Sequence, residues 1–188
     1  IVMSGAHQID TVLSTLRLEA DPELSSLFLE FEDLYEQKLW HQLTQRLSVF
    51  FESPKSAPLR LRVYTNFVSK FYDKINQLSV VEFLLLSLKD YNDNDESLKF
   101  LTDLKQSFKD IDEKKQRNEG LKNHDLGCLF IEIEIARIYL FKGELVKSRD
   151  LLDELEKVLD MRDSVPLQIT NAFYSTTAEY YGLKKDFN

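Results

Sequence analysis

The chain has 188 residues, of which 43% are hydrophobic and 30% charged, and its formal net charge is −8. The apolar fraction suffices for a continuous core, and the 5 Gly and 4 Pro are too few for the many turns of an all-β fold. The acidic balance argues against nucleic acids and anionic membrane surfaces as partners, since both draw affinity from clustered Lys and Arg.

The first predicted elements are two helices that form an antiparallel hairpin. Asp21-Pro22 predicts a helix start, because Asp caps unpaired N–H groups and Pro tolerates the first turn. Apolar residues then recur at helical steps of three and four: Leu24, Leu27, Phe28, Phe31, Leu34 and Tyr35. A second stripe follows immediately: Leu39, Trp40, Leu43, Leu47, Phe50 and Phe51.

A third helix is predicted after the loop 53–58, where Pro58 can open it. Its apolar face is broad enough to pack against two neighbours, with adjoining rows formed by Val63, Phe67, Phe71 and Ile75 and by Tyr64, Val68 and Tyr72. Ser79 and Glu82 have capping-box spacing and predict the start of the next helix, which carries Val80, Val81, Phe83, Leu84 and Leu88. Asp93 and Glu96 predict another start, before Leu98, Leu101, Leu104, Phe108 and Ile111.

The second half begins with a polar stretch, 112–123, that is predicted to form a long loop. Two structures fit 129–135: alternating Ile and Glu favour a strand, whereas helical spacing with a stop at Gly143 favours a helix. The helix is the preferred interpretation. An amphipathic helix is predicted for 144–161, and Ser164 and Pro166 predict the start of a last helix with apolar positions Ile169, Phe173, Ala178 and Tyr181.

One segment carries a repeat signature. The pattern Ala136-x2-Tyr139-x3-Gly143-x4-Ser148 resembles the tetratricopeptide (TPR) repeat, in which small residues let two helices approach closely, and Ala178-x2-Tyr181 is a weaker copy. A strict period is absent. We therefore predict an all-α fold of irregular TPR-like helical-hairpin repeats that form a right-handed solenoid arm.

The single cysteine, Cys128, excludes an intramolecular disulfide and is typical of a reducing compartment. No apolar run approaches the roughly 18 residues that span a bilayer, and no basic segment followed by an apolar one marks a secretory signal. A cytoplasmic and nuclear location is expected. Ile1 and Val2, ahead of Met3, are interpreted as residues left over from cloning.

The search for chemistry begins with metal ligands and nucleophiles. Only His124, Asp125 and Cys128 share a predicted helix face, while His7 and His41 lie in other elements. Since a structural zinc site normally has four ligands, a surface His and Asp beside a buried, inert thiol are the favoured interpretation. The sequence also lacks GxSxG, GxGxxG and Walker-type motifs. No catalytic, cofactor-binding or metal residue is predicted, and an enzyme is not expected.

The clustered charges are interpreted as solvated helix faces. The acidic clusters are expected to have ordinary pKa values: Glu30 with Asp33, Glu132 with Glu134, and Asp153, Glu154 and Glu156. The basic run 114–117 fits a nuclear-import or RNA-contact segment, but a charged helix end that leads into a loop is preferred.

Several long segments resemble one known family. They are 58–81 (PLRLRVYTNFVSKFYDKINQLSVV), 19–28 (EADPELSSLF), 35–43 (YEQKLWHQL), 114–120 (KKQRNEG) and 148–176. They are similar to the PCI-family subunit of the proteasome regulatory-particle lid that is numbered nine among non-ATPase subunits in fungi and thirteen in mammals. The resemblance covers 7–188 and depends on length, not on a short catalytic signature.

The resemblance implies a non-catalytic lid subunit that supports degradation of ubiquitinated proteins. Residues 1–188 would be its single helical-repeat N-terminal domain, without the PCI winged-helix domain that follows in the family. The expected partners are other PCI lid subunits and the ubiquitin-receptor subunit, with no nucleic acid, membrane, cofactor or small-molecule substrate. A generic TPR-like adaptor that holds a peptide or helix in its concave groove is the alternative, and an enzyme based on His124 and Cys128 is a third hypothesis.

Overall fold

The fold is taken from a computed structural model, which describes residues 13–119 and 126–186, with side chains for 13–114 and 126–185. In these ranges every regular element is helical and none is a strand, so the prediction of an all-α helical-repeat fold is confirmed. The chain forms two compact units, Ile1–Tyr91 and Asn92–Asn188. A single domain over 1–188 and a right-handed solenoid stay predictions.

The first unit contains five α-helices within its described part. Helix α1 covers 13–19; the others are α2 (Pro22–Glu36), α3 (Trp40–Glu52), α4 (Arg60–Asn66) and α5 (Gln77–Leu88). The predicted start of α2 is confirmed, because Asp21 Oδ1 accepts a hydrogen bond from Leu24 N at 2.9 Å. The predicted α2–α3 hairpin is also present, and an ion pair of 2.6 Å between Arg46 Nε and Glu30 Oε2 crosses it.

Phenylalanine rings fill the centre of this unit. The fully buried Phe31 ring lies 6.0 Å from Phe50, edge-on, and 6.0 Å from Phe67, stacked. Phe51 stacks on Phe83 of α5, with ring centroids 4.7 Å apart. Aromatic pairs of this kind contribute about 0.5–1.5 kcal/mol each beyond the area they bury. The rings therefore join α2 and α3 to α5 and to the segment after α4.

That segment differs from the long helix predicted for it. Helix α4 ends at Asn66, because Phe67 leaves helical geometry (φ −122°, ψ −63°), and short 3₁₀ turns follow at Val68–Lys70 and Tyr72–Lys74. Hydroxyl and amide groups near the break, such as Thr65 Oγ1, bond to backbone carbonyls, and such bonds compete with the helix. Because a 3₁₀ helix has three residues per turn, residues four apart no longer share a face after the break. The predicted row at steps of four therefore ends at Phe71, and Ile75 is only half-buried.

The predicted cap of α5 is also wrong. The helix begins at Gln77, and its cap is Asn76, whose Oδ1 accepts a hydrogen bond from Leu78 N at 2.8 Å. Asn76 has the extended backbone that a capping residue needs (φ −62°, ψ 129°), whereas Ser79 already lies inside the helix. The predicted core positions of α5 are all buried: Val80, Val81, Phe83, Leu84 and Leu88.

A buried arginine fixes the turn between α3 and α4. Arg60 Nε donates to Ser56 Oγ at 3.0 Å, and Arg60 Nη2 donates to Ser53 O at 2.8 Å. The side chain of Arg60 is 7% exposed. Because water cannot replace these partners fully, the guanidinium holds the carbonyl and hydroxyl of the turn in place.

The second unit contains α6 (Asn94–Glu119), α7 (Leu126–Phe141), α8 (Leu145–Asp160) and α9 (Leu167–Asp186). The start of α6 is as predicted, since Asp93 Oδ1 accepts from Glu96 N at 3.0 Å. The predicted loop is wrong for 112–119, which continue α6, and 120–123 lie outside the described residues. Polar composition gave the loop prediction, but an exposed helix end is equally polar.

Helix α7 is the central element of the second unit, because it packs against α6, α8 and α9. The preferred helical interpretation of 129–135 is confirmed. Ile131, Ile133 and Ile135 are all buried, since neighbouring helices cover α7 on several sides. A helix buried this widely can show the alternation of a strand without being one.

The α7–α8 hairpin has the geometry that the repeat signature predicts. Gly143 adopts a left-handed conformation (φ 78°) that is strained for other residues, and it ends the turn after α7. Ala136 and Ser148 are both fully buried, and Ser148 Oγ donates to Ala136 O at 2.8 Å. The small side chains thus let the helix backbones approach closely.

Helix α9 starts where predicted but buries a different face. Its buried residues are Ile169, Phe173, Thr176 and Tyr180, at steps of four, three and four. The predicted apolar positions Ala178 and Tyr181 are instead exposed. The adjacent tyrosines are indistinguishable by composition, yet Tyr180 lies on the buried face of α9 and Tyr181 does not.

We expect Ala136→Leu to destabilise the 188-residue chain by about 1–3 kcal/mol, because the larger side chain must enter the closely packed α7–α8 contact. Urea unfolding followed by circular dichroism measures the change. Ala178→Leu is the matched control and should change stability by less than about 0.5 kcal/mol, since Ala178 is exposed in this chain. Equal effects of the two substitutions would contradict the described hairpin.

Arg60→Ala should lower the free energy of unfolding by about 1–3 kcal/mol, because Ser53 O and Ser56 Oγ lose a charged donor inside the turn. Thermal unfolding of both proteins measures this. Arg62→Ala, which removes a partly exposed ion pair with Glu19, is the control, and its effect should be at most about 1 kcal/mol.

Candidate interaction surface

The thiol singled out in the sequence is buried. Cys128 lies on α7, is 4% exposed, and its Sγ contacts Lys105 O of α6 at 3.8 Å. A buried thiol in apolar surroundings is inert as a nucleophile. His124 and Asp125, the other members of the predicted trio, lie outside the described residues.

Of the two remaining histidines, the structure describes only His41. His41 is on the exposed side of α3, where its Nε2 lies 3.3 Å from Gln45 Nε2, and His7 is not among the described residues. Across 13–114 and 126–185, no group of three His, Cys, Asp or Glu side chains could hold a metal ion.

One predicted carboxylate pair differs from expectation. Burial raises the pKa of Glu134, the nearby Arg137 lowers it by less, and Glu179 adds to the increase. Arg137 Nε lies 3.4 Å from Glu179 Oε2, so this cluster joins α7 to α9. Glu132 instead pairs with Lys105 and joins α7 to α6. The expectation of ordinary pKa values is therefore wrong for Glu134, and the cluster's visible role is to connect helices.

The basic run 114–117 belongs to the C-terminal part of α6, so its preferred interpretation as a charged helix end is confirmed. Of its side chains the structure describes only that of Lys114, which is exposed.

A groove between α8 and α9 is the best candidate for an interaction surface. We call it the α8–α9 groove; its volume is about 210 Å³, and its lining comprises Arg149, Leu152, Asp153, Glu156, Phe173, Tyr174, Thr177, Tyr180 and Tyr181. Tyr174 is 66% exposed and Tyr181 56% exposed. Large aromatic side chains with a polar tip are frequent anchors at protein interfaces.

The polar groups of the groove are asymmetric. The α8 wall contributes the exposed carboxylates Asp153 and Glu156, while Arg149 lies 3.4 Å from Asp150. On the α9 wall, Thr177 Oγ1 is buried and makes no hydrogen bond within the described part of the chain. A partner that fits would offer apolar surface to the tyrosines and a cationic group to the carboxylates.

Sequence reasoning did not identify this groove. The sequence pattern predicts a solvated face for its carboxylates, and it places the exposed Tyr181, not the buried Tyr180, among the apolar positions of α9. One available signal was the spacing of Tyr174, Ala178 and Tyr181, which places a second, partly apolar stripe on α9. Steps of four and three residues are typical of a helix face that contacts another chain as well as of one that lies in the core.

The fold defines a class of protein: an all-α chain of packed helical hairpins in a helical-repeat arrangement. The family model described as PSD13 N-terminal repeats matches residues 27–188. The chain belongs to this family, as the resemblance predicted.

Named relatives agree with the family. The chain is 63% identical over 186 residues to the 26S proteasome regulatory subunit RPN9 of Saccharomyces cerevisiae, covering 99% of this chain and 47% of the relative. It is 39% identical over 168 residues to the probable 26S proteasome regulatory subunit rpn9 of Schizosaccharomyces pombe, covering 89% and 41%. It is 25% identical over 171 residues to the 26S proteasome non-ATPase regulatory subunit 13 homolog B of Arabidopsis thaliana, covering 90% and 42%. The chain thus spans less than half the length of these relatives.

In the described ranges, no helix is long and apolar enough to cross a bilayer.

The raised pKa of Glu134 predicts a pH-dependent stability difference. Because the folded-state pKa lies above the ordinary value of 4.5, this group's contribution is fully present below pH 4.5 and is lost as the pH rises through the folded pKa. Glu134→Gln should therefore raise the free energy of unfolding at pH 7 and have little effect below pH 4.5.

Urea unfolding at several pH values measures this difference. Glu154→Gln, at an exposed position on α8, is the control and should leave the pH profile unchanged. An effect of Glu134→Gln that is the same at pH 4 and pH 7 would show that burial does not govern its ionisation.

Proposed function

We propose that this chain is the N-terminal repeat region of a structural, non-catalytic subunit of the 26S proteasome regulatory-particle lid. The family match over residues 27–188 carries the proposal. The relatives' names support it, since they call those proteins regulatory or non-ATPase regulatory subunits of the 26S proteasome. The role is to support assembly, and through it the degradation of ubiquitinated proteins.

A non-catalytic role is supported by the state of the candidate nucleophile. The Cys128 thiol is buried between α7 and α6, so a substrate would reach it only if the core of the second unit opened. Glu134, the carboxylate with a raised pKa, is held beside Arg137 and Glu179 between helices. A raised pKa at such a site is compatible with structural ion pairing.

The proposed partners are other PCI subunits of the lid and the ubiquitin-receptor subunit of the regulatory particle. A winged-helix PCI domain would follow this region in the full-length protein. A stable contact buries on the order of 1,200–2,000 Å² in total, which helix faces of this length can supply. The corresponding location is the cytoplasm and the nucleus, with no nucleic acid, membrane, cofactor or small-molecule substrate involved.

A second candidate function is a peptide adaptor, and the α8–α9 groove favours it. Its exposed tyrosines and acidic rim would suit a basic, amphipathic helix of another protein. This adaptor requires the groove to be open in the full-length protein, so a cysteine placed on the exposed face of α9 should react freely with maleimide.

Loss of the full-length protein from cells should reduce the amount of assembled 26S proteasome, measured on native gels with a peptide-hydrolysis overlay. Re-expression of the wild-type protein should restore it. The Cys128→Ala, His124→Ala double variant should restore both assembly and degradation of a ubiquitinated reporter to the same level, because neither side chain performs chemistry.

Two results would count against the proposal. Unchanged assembly without the protein would remove the structural role. A double variant that restores assembly but not degradation would indicate chemistry at these residues, while circular dichroism of the purified variant controls for misfolding.

A further inference from the structure

We infer that the α8–α9 groove is the seat of the helix that follows α9 in the full-length protein, and is not an open peptide-binding site. This inference goes beyond the proposed function and rests on the repeat geometry of the second unit. It commits to an intramolecular occupant: an amphipathic helix with a small residue on the side that faces Ala178.

The first observation is the internal repeat between α7 and α9. Ala136 and Tyr139 of α7 recur as Ala178 and Tyr181 of α9 with the same spacing. On α7 the next helix covers this position: Ala136 is fully buried, and its carbonyl accepts a hydrogen bond from the Ser148 hydroxyl of α8. On α9 the equivalent Ala178 is exposed. Thus α9 repeats the contact residues of α7, while no helix in the described part of the chain covers them.

The tyrosines show the same difference. Tyr139 is half-buried, and Lys147 of α8 lies over its ring, with Nζ 5.7 Å from the ring centroid. Tyr181 is 56% exposed, and Tyr174, one turn from Ala178 on the same face, is 66% exposed. A following helix that covers α9 as α8 covers α7 would bury both rings. It would also bring its own surface against the α8 wall of the groove.

The chemistry of the groove describes the side chains that this helix should carry. Apolar residues would contact Tyr174 and Tyr181, and a Lys or Arg would face Asp153 and Glu156, as Lys147 faces the ring of Tyr139. A polar group near Thr177 Oγ1 would supply the hydrogen bond that this buried hydroxyl lacks among the described residues.

The turn before the new helix should differ from the α7–α8 turn. Lys185 stands where the repeat would place a second Gly143, and α9 continues as far as Asp186. The connection therefore comes later than it does after α7. The number of residues between Ala178 and the small residue opposite it should therefore be larger than the number between Ala136 and Ser148.

The occupant is intramolecular because more chain follows in the relatives. The matched region is 47% and 41% of the two fungal relatives, and the matching family model describes N-terminal repeats. A helix joined directly to α9 is present at an effective concentration in the millimolar range, which favours it over a separate chain.

The experiment measures access to position 178 in the full-length protein. Ala178 is not itself a lining residue, but it lies between the lining residues Tyr174 and Tyr181 on the same face of α9, which the following helix would cover. Ala178→Cys is placed in a Cys128→Ala background, and maleimide labelling is followed by mass spectrometry of the peptide that contains position 178. Glu154→Cys, exposed on α8 outside the groove lining, is the matched control. We expect position 178 to react at least on the order of tenfold more slowly than position 154, at every protein concentration tested.

Three results would overturn the inference. Equal rates at the two positions would show an open groove, as the adaptor function requires. Protection that disappears on dilution would identify a second copy as the occupant, and protection that appears only in the assembled regulatory particle would identify another subunit. Tyr181→Cys gives an independent reading of the same groove if Ala178→Cys does not fold.

The outcome is separable from that of the proposed function. Assembly on native gels, in cells with and without the wild-type protein, is a separate measurement. Slow labelling together with unchanged assembly in the absence of the protein would contradict the structural role and leave the groove assignment intact.

Discussion

The close contact between α7 and α8 determines how the second unit is built. A hydroxyl of α8 reaches a backbone carbonyl of α7, from Ser148 Oγ to Ala136 O at 2.8 Å, and this distance is possible only because both residues are small. Once α8 lies this near, the remaining surface of α7 is available to α6 and α9, and α7 contacts all three. The isoleucines at 131, 133 and 135 of α7 are buried as a consequence, and the Glu134 side chain lies mostly buried beside Arg137.

The helices of the first unit pack together through a different kind of contact. Its helices are held by rings and not by small residues, with Phe31 in contact with Phe50 and Phe67. The segment after α4 changes from α-helix to 3₁₀ turns, yet Phe67 and Phe71 both stay buried. This difference explains why the repeat pattern is readable in the second unit and lost in the first.

Much of the fold was predictable because helices bury residues at fixed spacing. The predicted stripe of α5 is entirely buried, and Asp21 marks a true helix start. Four of the six predicted positions are buried in each of α2 and α3, whereas Leu34, Tyr35 and Trp40 are half-buried and Leu39 is exposed. The errors fall where composition is ambiguous. Polar residues fit both a loop and an exposed helix end, as in 112–119, and neighbouring tyrosines such as Tyr180 and Tyr181 differ only in what packs beside them. The groove was beyond prediction for the same reason: it depends on how α8 lies against α9.

In a repeat protein, burial is a property of position within the array as well as of sequence. Ala136 and Ala178 are the same residue in the same local pattern, yet one lies in the core and the other on the surface. An exposed residue can therefore be interpreted in two ways when the equivalent residue of another repeat is buried. It belongs either to a binding surface or to a contact that the next repeat completes. Tyr181 lines the α8–α9 groove, and Ala178 lies beside it on the same face of α9; these two residues repeat Ala136 and Tyr139 of the α7–α8 contact. An independent binding site would have no reason to follow the register of α7. The register is what favours completion by the chain's own next helix.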